Sequence, residues 1–468
     1  MINISKWKAM LFFICITLSQ NCIASNKKVT QSKIDIADKD FIALSSKVYN
    51  SSSIINNQNK TTIDELYGNI ISLQKSKKEM VSIQHIISNL DLIQKNIDHE
   101  SIFKFILILL SNNEWNTSNK LLKNIVNVGD KSLISNVKFI FAQHYFEKGD
   151  YTKSKEMLTN ITSDLSVDNG HYASIMNGII LQKLKRHRES LVFYDKVPSD
   201  SPHYGHAQLN KAIVYIRQGW WADAHIIIRK LFNQVKVKIK GKSKLSPEFI
   251  NRLYLVVGYS FLQQEYFRES RENFRSIHTQ SGYANRAMLG IALSAANQGD
   301  NVGALNILNI LQEQNKKDLA IEETYLLLPY IYERIGQHKT ASASYSIALS
   351  YYKKRISEIK DIVSGIKHLE QTNFKINNNS LTIKENNVNI SNKKTLNIIK
   401  NLKKLRLFQS KIENNNLLLE INSQINANQS LLTEIISKKL VKRINFLESY
   451  QNQAQYGIAR LYDNSRKK

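Results

Sequence analysis

The sequence predicts an all-α fold in which helix pairs stack into a solenoid, and three observations support this. One spacing motif recurs at intervals of about 34 residues, as expected for repeats built from supersecondary units. Only four prolines and 16 glycines occur in 468 residues, so few residues break a helix. No long segment alternates apolar and polar residues as a half-buried strand would.

Each copy of the motif has a small residue, a large residue three positions later, a turn residue seven positions later and a second small residue twelve positions later. Six copies cover residues 135–350. Their first positions are Ala142, Gly178, Ala212, Gly258, Ala292 and Pro329. Their turn positions are Gly149, Lys185, Gly219, Glu265, Gly299 and Gly336. Glycine ends a helix by adopting a positive φ, so the Lys185 and Glu265 copies are expected to need a different turn.

This pattern resembles the tetratricopeptide repeat (TPR) family. The resemblance implies a right-handed superhelical solenoid in which the first helices of successive repeats line a concave face. The inward positions of this chain would then be Asn136, Gln143, Glu147, Gln182, Arg217, Arg252, Tyr259, Gln263, Arg286, Asn297, Tyr330 and Arg334. The four arginines among them could clamp carboxylates of a peptide or polymer, because guanidinium groups bind carboxylates bidentately.

The segments before the array have different predicted structures. Residues 26–59 are rich in Ser, Asn and Lys, which predicts a flexible N-terminal segment. Residues 60–134 are predicted to hold N-terminal helices and a degenerate seventh repeat. The residues that match the motif there are Ile106, Leu109, Trp115, Ser118 and Leu122.

Residues 351–468 are predicted to form a long C-terminal helical excursion. A helix continues from the last repeat, and the asparagine-rich residues 372–394 are expected to be a flexible linker. A second long helix carries the apolar stripe Leu432, Ile436, Leu440, Ile444 and Leu447. The stripe suits packing on the solenoid or oligomerisation, and both stay open. The closing QAQYGIARLYD matches a first repeat helix, with Ala459 and Tyr462 at the motif offsets.

The first 25 residues are predicted to be a secretory signal peptide. Lys6 and Lys8 precede the apolar run AMLFFICITL, which is shorter than the 20 or so residues needed to span a bilayer. Cleavage after Ala24 or Ser25 is expected, with lipidation of Cys22 or a retained anchor as alternatives. We expect a periplasmic protein if the cell is Gram-negative. Both cysteines lie in this segment, so the mature chain would have no disulfide, cysteine nucleophile or cysteine metal site.

The formal charge of +26 raises the question of an anionic partner. Predicted export and a composition rich in Lys, Asn and Ile disfavour nucleic acid, and A/T-rich codons alone could explain the charge. An anionic envelope polymer or lipid surface stays open as a partner. The insertion QVKVKIKGKSK, residues 234–244, is either a basic finger that touches such a surface or a solvated loop.

The sequence lacks the common catalytic and cofactor motifs. We find no HExxH, GxxxxGK[ST], GxGxxG or GxSxG, and no acidic pair accompanies His203 and His206 to complete a metal site. The prediction is therefore a non-enzyme without cofactor or metal. Two functions remain: a protein–protein interaction scaffold of the cell envelope, and a module that binds peptidoglycan or anionic lipid.

Overall fold

The computed structural model describes residues 24–51, 62–159, 161, 165–236, 238–239, 242–243, 245–314, 318–365, 374–377, 380–383, 388–389 and 393–466. These residues form twenty helices and five short strands. The predicted all-α solenoid of helix pairs is confirmed. The proposed signal peptide lies outside the described residues except for Ala24 and Ser25, which begin the first helix.

Six helices precede the repeats: α1 (Ala24–Ser51), α2 (Ile63–Lys75), α3 (Glu79–Ser88), α4 (Leu90–Lys95), α5 (Ser101–Ser111) and α6 (Trp115–Val128). The prediction of a flexible segment at 26–59 is wrong over α1. Phe41, Leu44 and Val48 lie three or four residues apart, so they share one face of α1, and all three are buried. Residues 52–59 of that segment lie outside the described residues.

Six helix pairs follow, and the helices of each pair pack against each other. They are α7 (Lys131–Lys148) with α8 (Tyr151–Thr159), α9 (Val167–Lys183) with α10 (His187–Asp195), α11 (Tyr204–Gln218) with α12 (Trp221–Lys236), α13 (Pro247–Gln263) with α14 (Phe267–Arg275), α15 (Ala284–Asn297) with α16 (Asn301–Glu313), and α17 (Leu319–Arg334) with α18 (His338–Gly365). The six pairs correspond to the six copies of the motif.

The small residues of the motif let the paired helices approach closely. A Cβ atom at Gly258 would lie 2.5 Å from the ring of Phe274 on the second helix, so only glycine fits there. The Ser270 hydroxyl donates to the carbonyl of Gly258 at 2.9 Å. Ser154 makes the same bond to Ala142 at 2.9 Å. Each such buried hydrogen bond contributes about 1 kcal/mol.

The turns between paired helices share one backbone conformation. Gly149 has a φ of 82° and Gly219 a φ of 75°. Lys185 and Glu265 adopt the same left-handed conformation, with φ of 62° and 66°. The expectation of a different turn in those two copies is therefore wrong. Helix pairing fixes the turn geometry and overrides a local cost of about 1–2 kcal/mol for each side chain.

The long step between the third and fourth pairs contains a small hairpin. Strand β1 (Lys238–Ile239) pairs antiparallel with β2 (Lys242–Ser243). This hairpin carries the basic insertion, whose side chains lie outside the described part of the structure.

The C-terminal region begins with a sheet and continues in two helices. Strands β3 (Phe374–Asn377), β4 (Ser380–Ile383) and β5 (Val388–Asn389) form an antiparallel sheet in that order. The prediction of a flexible linker at 372–394 is therefore wrong over these strands, where apolar residues alternate as pleated strands require. Helix α19 (Lys393–Gln409) then leads to α20 (Asn415–Arg466), whose 52 residues extend about 78 Å.

One buried core unites the two ends of the chain. Helix α20 packs against α18, α19 and α1. The core includes Phe41 of α1, Phe105 of α5, Tyr352 of α18, Phe408 of α19 and Tyr450 of α20. The stripe from Leu432 to Leu447 is buried in this terminal core, so it packs within the chain. The middle repeats instead hold smaller separate cores between neighbouring helices.

Candidate partner-binding groove

A continuous row of first helices forms the candidate site. Each of α5, α7, α9, α11, α13, α15 and α17 contacts the next helix of the row, and α17 contacts α20. All twelve predicted inward residues keep access to solvent. The most exposed are Glu147, Arg217, Arg286, Asn297 and Arg334, and the others are half-buried.

Three of the predicted residues join neighbouring first helices. The Gln182 amide of α9 donates to the Tyr194 hydroxyl at 2.7 Å and to the Asn210 carbonyl of α11 at 3.5 Å. The Tyr259 hydroxyl of α13 donates to the carbonyl of Arg286 on α15 at 3.0 Å. These bonds fix the spacing of the row. A partner would therefore meet a surface that is already ordered.

Arg334 makes the third link, because its guanidinium donates to the Ala296 carbonyl of α15 at 2.5 Å. Arg286 lies 5.9 Å from the ring centre of Tyr259, within the range of a cation–π contact. Tyr259 and Arg286 are thus brought together. Other predicted residues bond within their own helix, as Asn136 does to Ser132, Gln143 to Glu147, and Asn297 to Leu293.

The remaining predicted residues lie on three helices of the row, Arg217 on α11, Arg252 and Gln263 on α13, and Tyr330 on α17. Burial lowers the pKa of His206, and electrostatic interactions with Arg252 and His203 lower it further. His206 is therefore neutral at pH 7. The four predicted arginines keep solvent access on four different first helices.

Sequence reasoning matched the closing QAQYGIARLYD to a first repeat helix, but it placed no residue of that helix in the predicted site. Gly457 of α20 approaches Tyr345 so closely that a Cβ atom would lie 2.5 Å from its ring. Gly290 meets Phe274 of the preceding second helix in the same way, at 2.4 Å. The end of α20 therefore packs as a further first helix. The motif offsets could have extended the site, because Gln453 lies six residues before Ala459 and Arg460 one after it.

A cleft of about 590 Å³ lies where α20 meets α17 and α18. Leu326 and Tyr345 form its floor, and α20 lines it with Asn445, Glu448, Ser449, Asn452, Gln453, Tyr456 and Arg460. Arg460 pairs with Glu333, its Nε donating to Oε1 at 2.9 Å. The cleft thus forms the C-terminal end of the groove.

Buried ionisable groups hold α20 beside the last repeat. Glu322 is fully buried and pairs with Arg355 at 3.3 Å and with Arg443. The neighbouring Glu323 accepts a hydrogen bond from the Tyr450 hydroxyl at 3.3 Å. Burial raises the pKa of Glu323 to about 7, against the opposing effects of Tyr450 and Arg286.

A second polar junction joins α1, α7 and α19 near the loop before α6. The amide of Asn401 donates to Asp38 at 3.0 Å and its oxygen accepts from Asn113 at 2.9 Å. The ammonium group of Lys148 donates to Asn113 at 2.5 Å. Burial lowers the pKa of Lys148 to about 8 and that of Lys404 to about 7. This junction is structural, because it links the terminal core to the first repeat.

Within the described ranges, no group of three or more His, Cys, Asp or Glu side chains is placed to hold a metal ion. Among the described helices, none has the length and apolarity required to cross a lipid bilayer.

The sequence matches no protein-family profile, and no curated protein is significantly similar to it. Among solved structures, the chain is similar to the apo form of the quorum sensor NprR from B. thuringiensis, with 12% identity and a TM-score of 0.38. That alignment covers 74% of this chain and 96% of the other. A circular tandem repeat protein with novel repeat topology aligns with 94% of this chain and 98% of its own, at 10% identity and a TM-score of 0.15. Both scores lie below 0.5, so the groove is interpreted from its own geometry.

Proposed function

We propose that this protein is an exported, non-catalytic scaffold of the bacterial cell envelope, and that its helix pairs are TPR repeats. A partner protein binds along the row of first helices. One observation carries the proposal: the row is continuous, held by bonds between adjacent helices, and presents solvent-accessible arginines on four of them. Arginines fixed on a rigid surface suit an acidic segment, since they bind carboxylates bidentately.

Capture from crosslinked cell envelopes tests this proposal. The wild-type protein is compared with the double variant Arg217→Ala/Arg286→Ala, and both arginines are exposed. The matched control is Arg268→Ala, an exposed arginine on the second helix α14. We expect the same protein partner with the wild type and the control, and its loss with the groove variant. Failure to recover a reproducible protein would contradict the scaffold function.

The distribution of charge favours a second candidate, binding to peptidoglycan or anionic lipid. Residues 351–468 contain 22 Lys or Arg against 9 Asp or Glu. Helix α19 has no acidic residue and exposes Lys400 and Lys403. Binding to anionic vesicles or purified peptidoglycan through this surface should weaken steeply as salt rises, because exposed charges are screened within about 10 Å at 0.1 M. A partner held in the groove by desolvated contacts should depend less on salt.

A further inference from the structure

We propose that the cleft at the end of the groove binds an extended peptide through its main chain, and that carboxamides of α20 recognise the peptide's amide groups. The inference rests on the proposed function, because it names the chemistry that the groove recognises at this end. The argument starts from the cleft's shape. Its volume of about 590 Å³ is that of a ligand pocket, and its floor of Leu326 and Tyr345 is apolar.

Carboxamides and a hydroxyl occupy the face of α20 that borders this floor. Asn445, Ser449, Asn452 and Gln453 follow one another at helical spacing, so they point to the same side. Asn445, Ser449 and Asn452 are exposed. The carboxamides of Asn445 and Asn452 make no hydrogen bond to another residue that the structure describes. They are therefore available to a ligand.

The chemistry and spacing of these groups match an extended main chain. A carboxamide presents one acceptor and an N–H donor side by side, which is the complement of a peptide's own C=O and N–H. Asn445 and Asn452 are separated by about 10.5 Å along the helix axis, from a rise of 1.5 Å per residue. Three residues of an extended chain span about 10 Å. One peptide segment can therefore reach both side chains.

The charges of the cleft are already paired within the protein. Arg460 binds Glu333 through two hydrogen bonds, and Lys360 lies 3.8 Å from Glu448. This end of the groove therefore favours uncharged amide groups over the carboxylates that suit the arginines further along the row.

A neutral oligosaccharide is a poorer match than a peptide. Sugars bind aromatic rings face to face, and the two tyrosines of the cleft offer little such area. Tyr345 is only 2% exposed. Tyr456 is 67% exposed, but the Arg460 guanidinium lies 5.6 Å from its ring centre and covers one face. The carboxamides of α20 therefore offer a ligand of the cleft more than its two rings do.

The experiment uses a displayed library of random twelve-residue peptides, selected on the folded chain without its signal segment. The affinity of enriched peptides is measured for the wild type, for Asn445→Ala/Asn452→Ala, and for Gln455→Ala, an exposed carboxamide of α20 outside the cleft. We expect the double variant to bind about thirty-fold more weakly, since it loses at least two hydrogen bonds that contribute about 1 kcal/mol each. Gln455→Ala should bind as the wild type does.

The decisive measurement is the affinity of peptides in which one main-chain N–H is replaced by N-methyl. The replacement is made at each position of the peptide in turn. At the contact position, N-methylation should weaken binding roughly five-fold with the wild type and little with the double variant. Equal costs in both proteins overturn the inference. The inference is also overturned if the library yields no binding peptide, or if the cleft binds chitotetraose in place of peptides. The envelope capture with arginine variants remains a separate test, so the scaffold function can survive failure of the cleft proposal.

Discussion

The middle of the chain and its two ends are held together in different ways. In the repeats, each core joins helices that are close in sequence, as Phe274 of α14 does between α13 and α15. At the ends, one core joins α1 to α19 and α20, so that Lys33 pairs with Glu434 across 401 residues of sequence. Local repetition therefore builds the groove, whereas contacts between distant parts of the sequence determine where the row of helices ends.

The largest effect is expected from Phe408→Ala, which empties a fully buried site between α19 and α1, where Phe408 meets Tyr49. The free energy of unfolding should fall by about 3–5 kcal/mol. Hydrogen exchange should show lost protection in both α1 and α19. Phe274→Ala is the matched variant in the repeats, and its loss of protection should stay within α13 to α15. Unchanged protection of α1 in Phe408→Ala would show that the ends are independent.

A smaller effect is expected from Arg355→Ala, because this residue is 4% exposed and pairs with the fully buried Glu322. Without Arg355, the buried carboxylate of Glu322 keeps only its ion pair with Arg443. The free energy of unfolding should therefore fall by about 3 kcal/mol in denaturant titrations. The comparison is Arg268→Ala in the repeats, where Arg268 and Glu272 are both exposed. That change should stay within about 0.5 kcal/mol. Equal losses would mean that the burial of the terminal ion pair is unimportant.

The effect of Glu323→Gln should depend on pH. The folded-state pKa of about 7 is above the ordinary value of 4.5, so the native state retains its proton more strongly. Wild-type stability is therefore reduced as pH rises from 4.5 through 7, while the glutamine variant avoids this loss. We expect the variant to be more stable by up to about 3 kcal/mol at pH 8 and equal at pH 4.

Thermal unfolding across this pH range provides the measurement for Glu323→Gln. Glu269→Gln, at an exposed position of α14, serves as its control and should show no such trend. A stability difference that is constant with pH would contradict burial of the Glu323 charge.

The smallest effects are expected at the turns of the repeats. Lys185→Gly should raise the free energy of unfolding by about 0.5 kcal/mol, because glycine adopts its positive φ without strain. Gly219→Ala should lower it by about 1 kcal/mol, since a Cβ there meets no atom within 4 Å and only backbone strain acts. Denaturant midpoints of both variants measure this. If both substitutions changed the free energy of unfolding in the same direction, the two turns would not share one conformational preference.

The sequence predicted the parts of the fold that are determined locally. Ala142, Gly149 and Ser154 act within one helix pair, so their spacing alone indicates that pair. The burial of Phe41 could not be predicted from its neighbours in sequence, because the core that it joins includes residues of α19 and α20, several hundred residues away. The left-handed conformation of Lys185 was missed for a different reason, since the packing of its own helix pair overrides the preference of a lysine for a negative φ.

The candidate site was predictable up to the sixth copy, and its twelve residues remain predictions of a binding role. Gln453 and Arg460 carried the required signal in their offsets from Ala459, but the cleft also depends on Asn445 and Ser449. These residues precede the motif, and only the unbroken length of α20 places them beside the groove.

The union of α1 with α19 and α20 has a consequence for how the chain folds as it is made. A chain that emerges from its N-terminus first presents Phe41, Leu44 and Val48 long before residues 393–466 exist to cover them. The repeats can form in the meantime, because their contacts have low contact order, and they bring the two ends closer. Closing the remaining loop is then the slow step. Until that moment we expect the face of α1 that packs against α19 and α20 to stay uncovered.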